Sequence, residues 1–316
     1  MIDTGPLFVS SGDLIADRRY KAAVELASRG DLPAAADILA QTVELAPDFA
    51  TAWFALGAIR DRLGDRDGAV AAFARARDAD PADYHGARLQ MARLGAGEAT
   101  PAMTETYIRR LFDQYSGRYD TALTEHLNYR GPVILLDAVE SAMHAAGRPM
   151  RFGAMLDLGC GTGLAGAAFR PFVDRLVGID LSPGMIAQAA TKGLYDRLVT
   201  ADLAGFVAAE AAAGKYHLAV AADVFVYIND LAPIVRAIAP ILAPNGILAF
   251  TVETHSGAGA KLLPTLRFAY GADYLRAAIA GAGLTLAAIE EVSIRTENGA
   301  PVRGLVVVAS AAAALT

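Results

Sequence analysis

Met155-Leu156-Asp157-Leu158-Gly159-Cys160-Gly161-Thr162-Gly163 sets an acidic residue near the end of an apolar run, with three alternating glycines directly after it. An apolar run over 154–158 reads as a buried strand, and the glycines that follow permit a backbone to approach a ligand closely. Further short β-favouring runs at 175–179, 198–201, 217–221 and 247–252 alternate with helical stretches, the pattern of a parallel α/β sheet. The second run, Leu176-Val177-Gly178-Ile179, leads into Asp180, and the third ends at Asp202. Acids at three successive strand ends put a binding crevice at the carboxyl edge of the sheet. The chain closes differently. Runs at 285–295 and 302–309 flank Asn298-Gly299, a hairpin-favouring pair, so the last strand is expected to be antiparallel.

These acids and glycines fit a nucleoside-bearing ligand. A carboxylate at Asp180 can accept two hydrogen bonds from ribose hydroxyls, and Asp202 stands where an adenine edge would be read. Gly161-Thr162-Gly163-Leu164-Ala165-Gly166 also satisfies the G-x-G-x-x-G pattern of nicotinamide dinucleotides, with an acid about 20 residues on. Asp157 favours a different ligand: an amino-acid tail needs an acceptor for its ammonium, and no pyrophosphate then has to be held.

The remaining composition excludes several classes. With 54% hydrophobic residues in 316, the chain has ample material for folded cores. A net charge of -6 gives no broad cationic surface for a nucleic acid. Cys160 is the single cysteine, which rules out an internal disulfide and suits the cytoplasm. Residues 1–13 lack the basic cluster and apolar run of a secretory signal, and the apolar tail 304–316 is too short to span a bilayer, so no membrane role is expected.

The first ninety or so residues contain no convincing strand but show self-similarity. Trp53, Leu56, Gly57, Ala69, Phe73, Ala76 and Pro81 follow in order the Trp, Leu-Gly, Ala, Phe, Ala, Pro positions of a tetratricopeptide repeat, which this segment resembles. A step back of about 34 residues, the period of such a repeat, puts Ala35, Leu39, Thr42 and Pro47 at the last four equivalent positions. It also aligns Arg29-Gly30-Asp31 with Leu63-Gly64-Asp65. Residues 84–94 offer a capping helix, and Gly95-Ala96-Gly97-Glu98-Ala99-Thr100-Pro101 breaks the helical pattern. The expected organisation is an all-α tetratricopeptide-repeat module over 1–97 and an α/β domain over 98–316, with a helical lid at 103–130.

The second half resembles the class I S-adenosylmethionine-dependent methyltransferases, and the whole chain resembles bacterial tetratricopeptide-containing predicted methyltransferases. The resemblance rests on the repeats, Leu111-Phe112-Asp113-Gln114-Tyr115-Ser116, Tyr119-Asp120, Leu127-Asn128-Tyr129-Arg130, the glycine turn and Ala222-Asp223-Val224-Phe225-Val226-Tyr227. It implies a Rossmann-like, mostly parallel sheet with an antiparallel last strand, and S-adenosylmethionine as cofactor. By the same resemblance Asp157, Gly159, Gly161 and Gly163 flank the methionine part, with Cys160 giving backbone contacts. Asp180 and Leu181 take the ribose, Asp202 and Leu203 the adenine, and Asp223 borders the methyl group. Tyr115, Tyr119 and Arg130 are the cofactor contacts expected from the lid region. One departure is His217, where the family usually opens the fourth strand with Asp.

Methyl transfer from a sulfonium is an in-line displacement, and a general base is required only where the acceptor starts protonated. His255, beyond Glu253 at the end of the fifth strand, and Tyr227 are the catalytic candidates. Phe225, Tyr227, His255, Arg267 and Tyr270 are candidates for the acceptor pocket. Five scattered histidines form no metal triad, so no metal is expected. No Asn/Asp-Pro-Pro-aromatic tetrapeptide or Pro-Cys nucleophile of DNA methyltransferases is present, which leaves a small molecule or a protein as acceptor and the repeats as a surface for a protein partner. A cofactor-binding interaction protein without catalysis and an NAD-dependent oxidoreductase are the alternatives.

Overall fold

The computed structural model describes residues 8–97, 103–118, 128–211, 215–297 and 299–313. It divides into two compact units, Ile2–Tyr107 and Ile108–Thr316.

The first unit is helical: α1 (Leu14–Ser28), α2 (Leu32–Leu45), α3 (Ala50–Arg62), α4 (Arg66–Ala79) and α5 (Ala87–Arg93). Its turns recur. Gly30 and Gly64 end α1 and α3 in the left-handed conformation (φ +89° and +83°), and Asp31 and Asp65 then cap α2 and α4 by accepting backbone N–H bonds. Both second helices stop just before Pro47 and Pro81. Small residues let each pair close: Ala35 and Ala69 are fully buried, and a Cβ on Gly57 would lie 2.7 Å from the Phe73 ring. Tyr20, Leu39, Phe49 and Leu56 form the core of α1–α3.

In the second unit, α6 (Glu105–Tyr115, its N-terminal residues in the first unit) and α7 (Gly131–Ala145) precede the sheet. Five parallel strands follow: β1 (Phe152–Leu158), β2 (Val173–Asp180), β3 (Arg197–Thr200), β4 (Tyr216–Ala221) and β5 (Leu242–Thr254). Between them lie α8 (Leu164–Phe169), α9 (Pro183–Thr191), α10 (Leu203–Glu210) and α11 (Ala232–Ile238). A short hairpin of β6 (Ala260–Leu262) and β7 (Phe268–Tyr270), then α12 (Ala272–Gly281), lead to β8 (Thr285–Glu297) and β9 (Ala300–Ser310). The strands lie in the order β3-β2-β1-β4-β5, with β9 antiparallel to β5 and β8 beyond it. Strand order therefore reverses between β1 and β4, and ligands of such sheets bind outside the carboxyl ends at that point.

The β6–β7 hairpin is not legible in the sequence, because three-residue strands are too short to show a period. The fifth strand also starts earlier than the apolar run, at Leu242. Gly299 takes the left-handed conformation (φ +76°) in the closing turn, and Asn298 lies outside the described residues. Leu135, Val139 and Met143 of α7 pack on Phe152, Met155, Leu218, Val306 and Val308, burying both faces' apolar residues at about 25 cal/mol per Å². Among the described residues no helix is long and apolar enough to cross a membrane.

Candidate functional site

β1 delivers Asp157 and Leu158 to the carboxyl edge, and the chain then reverses through three left-handed glycines, Gly159 (φ +65°), Gly161 (+52°) and Gly163 (+92°), before α8 begins. A side chain at Gly159 would meet Val224 at 2.6 Å, so the turn needs glycine for space as well as for φ. The turn is pinned to β2: Cys160 donates its N–H to Ile179 O (2.8 Å) and Gly161 to Asp180 Oδ2 (2.9 Å). Asp180 Oδ1 accepts a further bond from Ser182 N–H at 2.8 Å.

Asp157 is 1% exposed. Its Oδ2 accepts from the Tyr195 hydroxyl at 2.7 Å, whereas Oδ1 has no hydrogen-bond partner among the described residues. Burial pushes its carboxyl up to about 7, with Asp180 adding to the rise against the hydrogen bond from Tyr195 and the nearby Gly166 N–H. Asp180 is pushed up to about 6, again chiefly by burial, with Asp113 contributing. Two carboxylates thus share one desolvated corner, a setting that favours a cation. Burial, Asp157 and Asp180 hold the Cys160 thiol well above its ordinary value, which disfavours the thiolate.

Following β3, Asp202 caps α10 by accepting from Gly205 N–H (2.7 Å), and Leu203 is the first residue of that helix. Leu181 is half-buried beside Asp180. From α6, where a lid is expected, Asp113 Oδ1 accepts from Ser182 Oγ and from Gly184 N–H (3.0 Å). Phe112 packs edge-on against Tyr227 with centroids 5.3 Å apart, and Tyr115 is buried. The Arg130 side chain is exposed at the start of α7, while its N–H donates to Ile294 O (2.8 Å). Tyr119 lies outside the described residues.

A buried charge cluster lies where β4, β5 and β8 come together. Asp223, itself left-handed (φ +60°), takes two bonds from Arg295 Nη1 at 3.1 and 2.8 Å. Arg295 also donates to Glu253 and, through Nε, to Glu297 (2.9 Å). Arg267 donates to Glu297 (2.7 Å) and approaches Glu253 and the Tyr227 hydroxyl, each at 3.4 Å. Burial opposes ionisation of Glu297, but the bonds from Arg267 and Arg295 outweigh it and hold its carboxyl at about 2. Burial raises Glu253 despite the two arginines.

Three expected acceptor-side residues are engaged elsewhere. His255 Nδ1 accepts from Gly257 N–H (3.0 Å), which leaves the proton on Nε2 for Gly259 O (3.2 Å). The ring braces its own loop and has no free nitrogen for base work. Tyr270 is fully buried, its hydroxyl donated to Phe225 O (2.6 Å) with Ile228 O alongside. Phe225 is a core residue against Phe250, centroids 5.1 Å apart. In each case backbone or core packing takes up the group that sequence position alone assigned to substrate. His217 sits at the opening of β4, Nδ1 accepting from Ala154 N–H (3.2 Å), at the opposite edge from the site.

Sequence reading missed Tyr195, Arg295 and Glu297. Arg295 and Glu297 stand two apart on one face of β8, so a period-two reading of that strand flags a polar pair; Tyr195 carries no such signal.

Residues 156–248 match a methyltransferase domain family. A 108-residue stretch is 35% identical to human methyltransferase-like protein 27, covering 34% of this chain and 42% of that protein. A 153-residue stretch is 30% identical to malonyl-(acyl-carrier protein) O-methyltransferase of Methylovorus sp. (strain MP688), covering 46% of this chain and 49% of that enzyme. The chain thus spans less than half the length of these curated relatives. Magnesium protoporphyrin IX methyltransferase of Synechocystis PCC 6803, solved with bound SAH, has the same fold, with a TM-score of 0.51 at 17% identity over 66% of this chain and 99% of that one. Residues 156–248 therefore match a methyltransferase domain, and the second unit has the Rossmann-like fold of that solved methyltransferase.

Proposed function

We propose that this protein transfers a methyl group from S-adenosylmethionine to a small-molecule or protein acceptor. The observation that carries the reading is Asp157: a buried carboxylate with one oxygen unpartnered among the described residues, directly behind a left-handed glycine turn. A buried acceptor without a donor costs roughly 1–3 kcal/mol, and the ammonium of an amino-acid tail relieves it. When bound, S-adenosylmethionine supplies an electrophilic methyl on a sulfonium. Asp157 takes the ammonium, Asp180 the ribose hydroxyls, and Asp202 with Leu203 the adenine. Asp113 and Phe112 hold the lid helix against the start of α9 and Tyr227 and exclude water. Asp223, Tyr227 and Arg267 line the acceptor side.

The same corner disfavours a dinucleotide. A pyrophosphate would face Asp157 and Asp180, and the Gly161 N–H it would need already serves Asp180. The third glycine of the pattern, Gly166, makes room for Tyr195.

The helical unit fits a tetratricopeptide module over 1–97 that presents a docking surface for a protein partner. Supporting this, Gly30 and Gly64, Asp31 and Asp65, Ala35 and Ala69, and Leu39 and Phe73 have matched roles one repeat apart.

Calorimetric titration with S-adenosylmethionine, S-adenosylhomocysteine and NAD tests the central reading. Binding of the first two alone is expected; silence toward both with a clear NAD signal would overturn it.

A further inference from the structure

Tyr195 belongs to no motif, yet the chain around it is cut away to let it pass. A Cβ at Gly166 would lie 2.2 Å from its hydroxyl, one at Gly178 2.6 Å from its Cε1, and one at Gly163 3.0 Å from its Cε2. Three glycines from the turn, α8 and β2 thus border one slot, and the ring occupies it. At the end of the slot the hydroxyl meets Asp157 Oδ2 at 2.7 Å. The other oxygen of that carboxylate has no hydrogen-bond partner among the described residues, in a residue 1% exposed.

We propose that Tyr195 is a positioning residue of the ligand site: through the glycine slot its hydroxyl clamps one oxygen of Asp157, so that the other is presented to the ammonium of an amino-acid-bearing ligand. The inference rests on the S-adenosylmethionine reading and deepens it. A carboxylate free to rotate would share both oxygens between the ligand and its own relaxation; one held at Oδ2 offers a single fixed acceptor, and preorganisation of that kind lowers the ordering cost of binding. The clamp also works on charge. The titratable groups around Asp157 are Asp180, which opposes its ionisation, the Cys160 thiol, buried beside both carboxylates, and Tyr195, whose hydrogen bond favours the ionised form. Burial keeps Tyr195 itself protonated, far above the ordinary tyrosine range, so it acts only as a donor.

The test compares S-adenosylhomocysteine with methylthioadenosine, which keeps the adenosine but lacks the amino-acid tail, by calorimetry on the full chain and its Tyr195→Phe variant. Expected is about a tenfold loss for S-adenosylhomocysteine, as for a hydrogen bond to a charged group, with methylthioadenosine changed less than twofold. The acid limb of the S-adenosylhomocysteine affinity profile should also move to higher pH, because Asp157 without its donor ionises later. Gly166→Ala, which drives the hydroxyl out of its slot, should give the same selective loss. Equal weakening of both ligands, or an unchanged affinity and pH profile in Tyr195→Phe, would overturn the proposal while leaving the cofactor reading in place. Failure of the unmodified protein to bind S-adenosylhomocysteine would remove that reading and the proposal with it.

Discussion

Arg295 Nη1 holds both carboxylate oxygens of Asp223, at 3.1 and 2.8 Å, and so ties the closing hairpin to the loop that follows β4. The same guanidinium reaches Glu253 and Glu297, so one cation that is 1% exposed faces three carboxylates. Arg295→Leu leaves those charges desolvated, with Arg267 the remaining cation paired to them among the described residues. Unfolding in urea at pH 7 should show a loss of about 3–5 kcal/mol, narrowing below about pH 5 as the orphaned carboxyls protonate.

Glu297 has its folded pKa depressed from 4.5 to about 2. The ionised form therefore stabilises the fold above about pH 5, and that contribution disappears as pH falls toward 2. Glu297→Gln should destabilise the protein at pH 7 by on the order of 2 kcal/mol, with the two unfolding curves converging near pH 2. A constant difference across that range would rule out the pairing with Arg267 and Arg295 as its source.

Asp157 behaves in the opposite sense. Its folded pKa is raised from 3.8 to about 7, so the penalty for holding it ionised grows between about pH 4 and 7 and is complete above that. Asp157→Asn should stabilise the ligand-free protein at pH 8 by about 1–3 kcal/mol, with the gain fading as pH drops toward 4. S-adenosylhomocysteine affinity should collapse in the same variant, a site that is costly to the fold and needed by the ligand.

His255 braces the segment 255–259 through both ring nitrogens. His255→Ala should leave S-adenosylhomocysteine affinity within about twofold and lower the midpoint of thermal unfolding by about 2–4 °C, from loss of roughly 1 kcal/mol of hydrogen bonding. A full-strength Tm in that variant would show that the ring does not brace the loop.

Asp113 ties the lid helix to the start of α9 through Ser182 and Gly184. With Asp113→Ala the lid loses both bonds, and S-adenosylhomocysteine should dissociate about three- to tenfold faster in stopped-flow displacement, with little change in association. Unaltered dissociation would place the lid outside the binding site.

The sheet, and the corner where the glycine turn meets Asp157 and Asp180, are legible in local sequence. Apolar runs ending in Asp157, Asp180 and Asp202 are local signals, and a left-handed turn of alternating glycines admits few alternatives to Gly159, Gly161 and Gly163. The closing hairpin was equally local, through Asn298-Gly299 and its flanking runs. Tertiary structure alone decided what lies across from these residues. Tyr195 meets Asp157 from 38 positions away, and Arg295 meets Asp223 from 72. His255, Tyr270 and Phe225 stand near the site in the chain's order, but their polar atoms or rings are taken up by backbone and core. The reason is physical: strand periodicity and turn chemistry depend on neighbours in sequence, whereas the partner of a buried polar group is set by which distant segment packing brings within hydrogen-bonding reach.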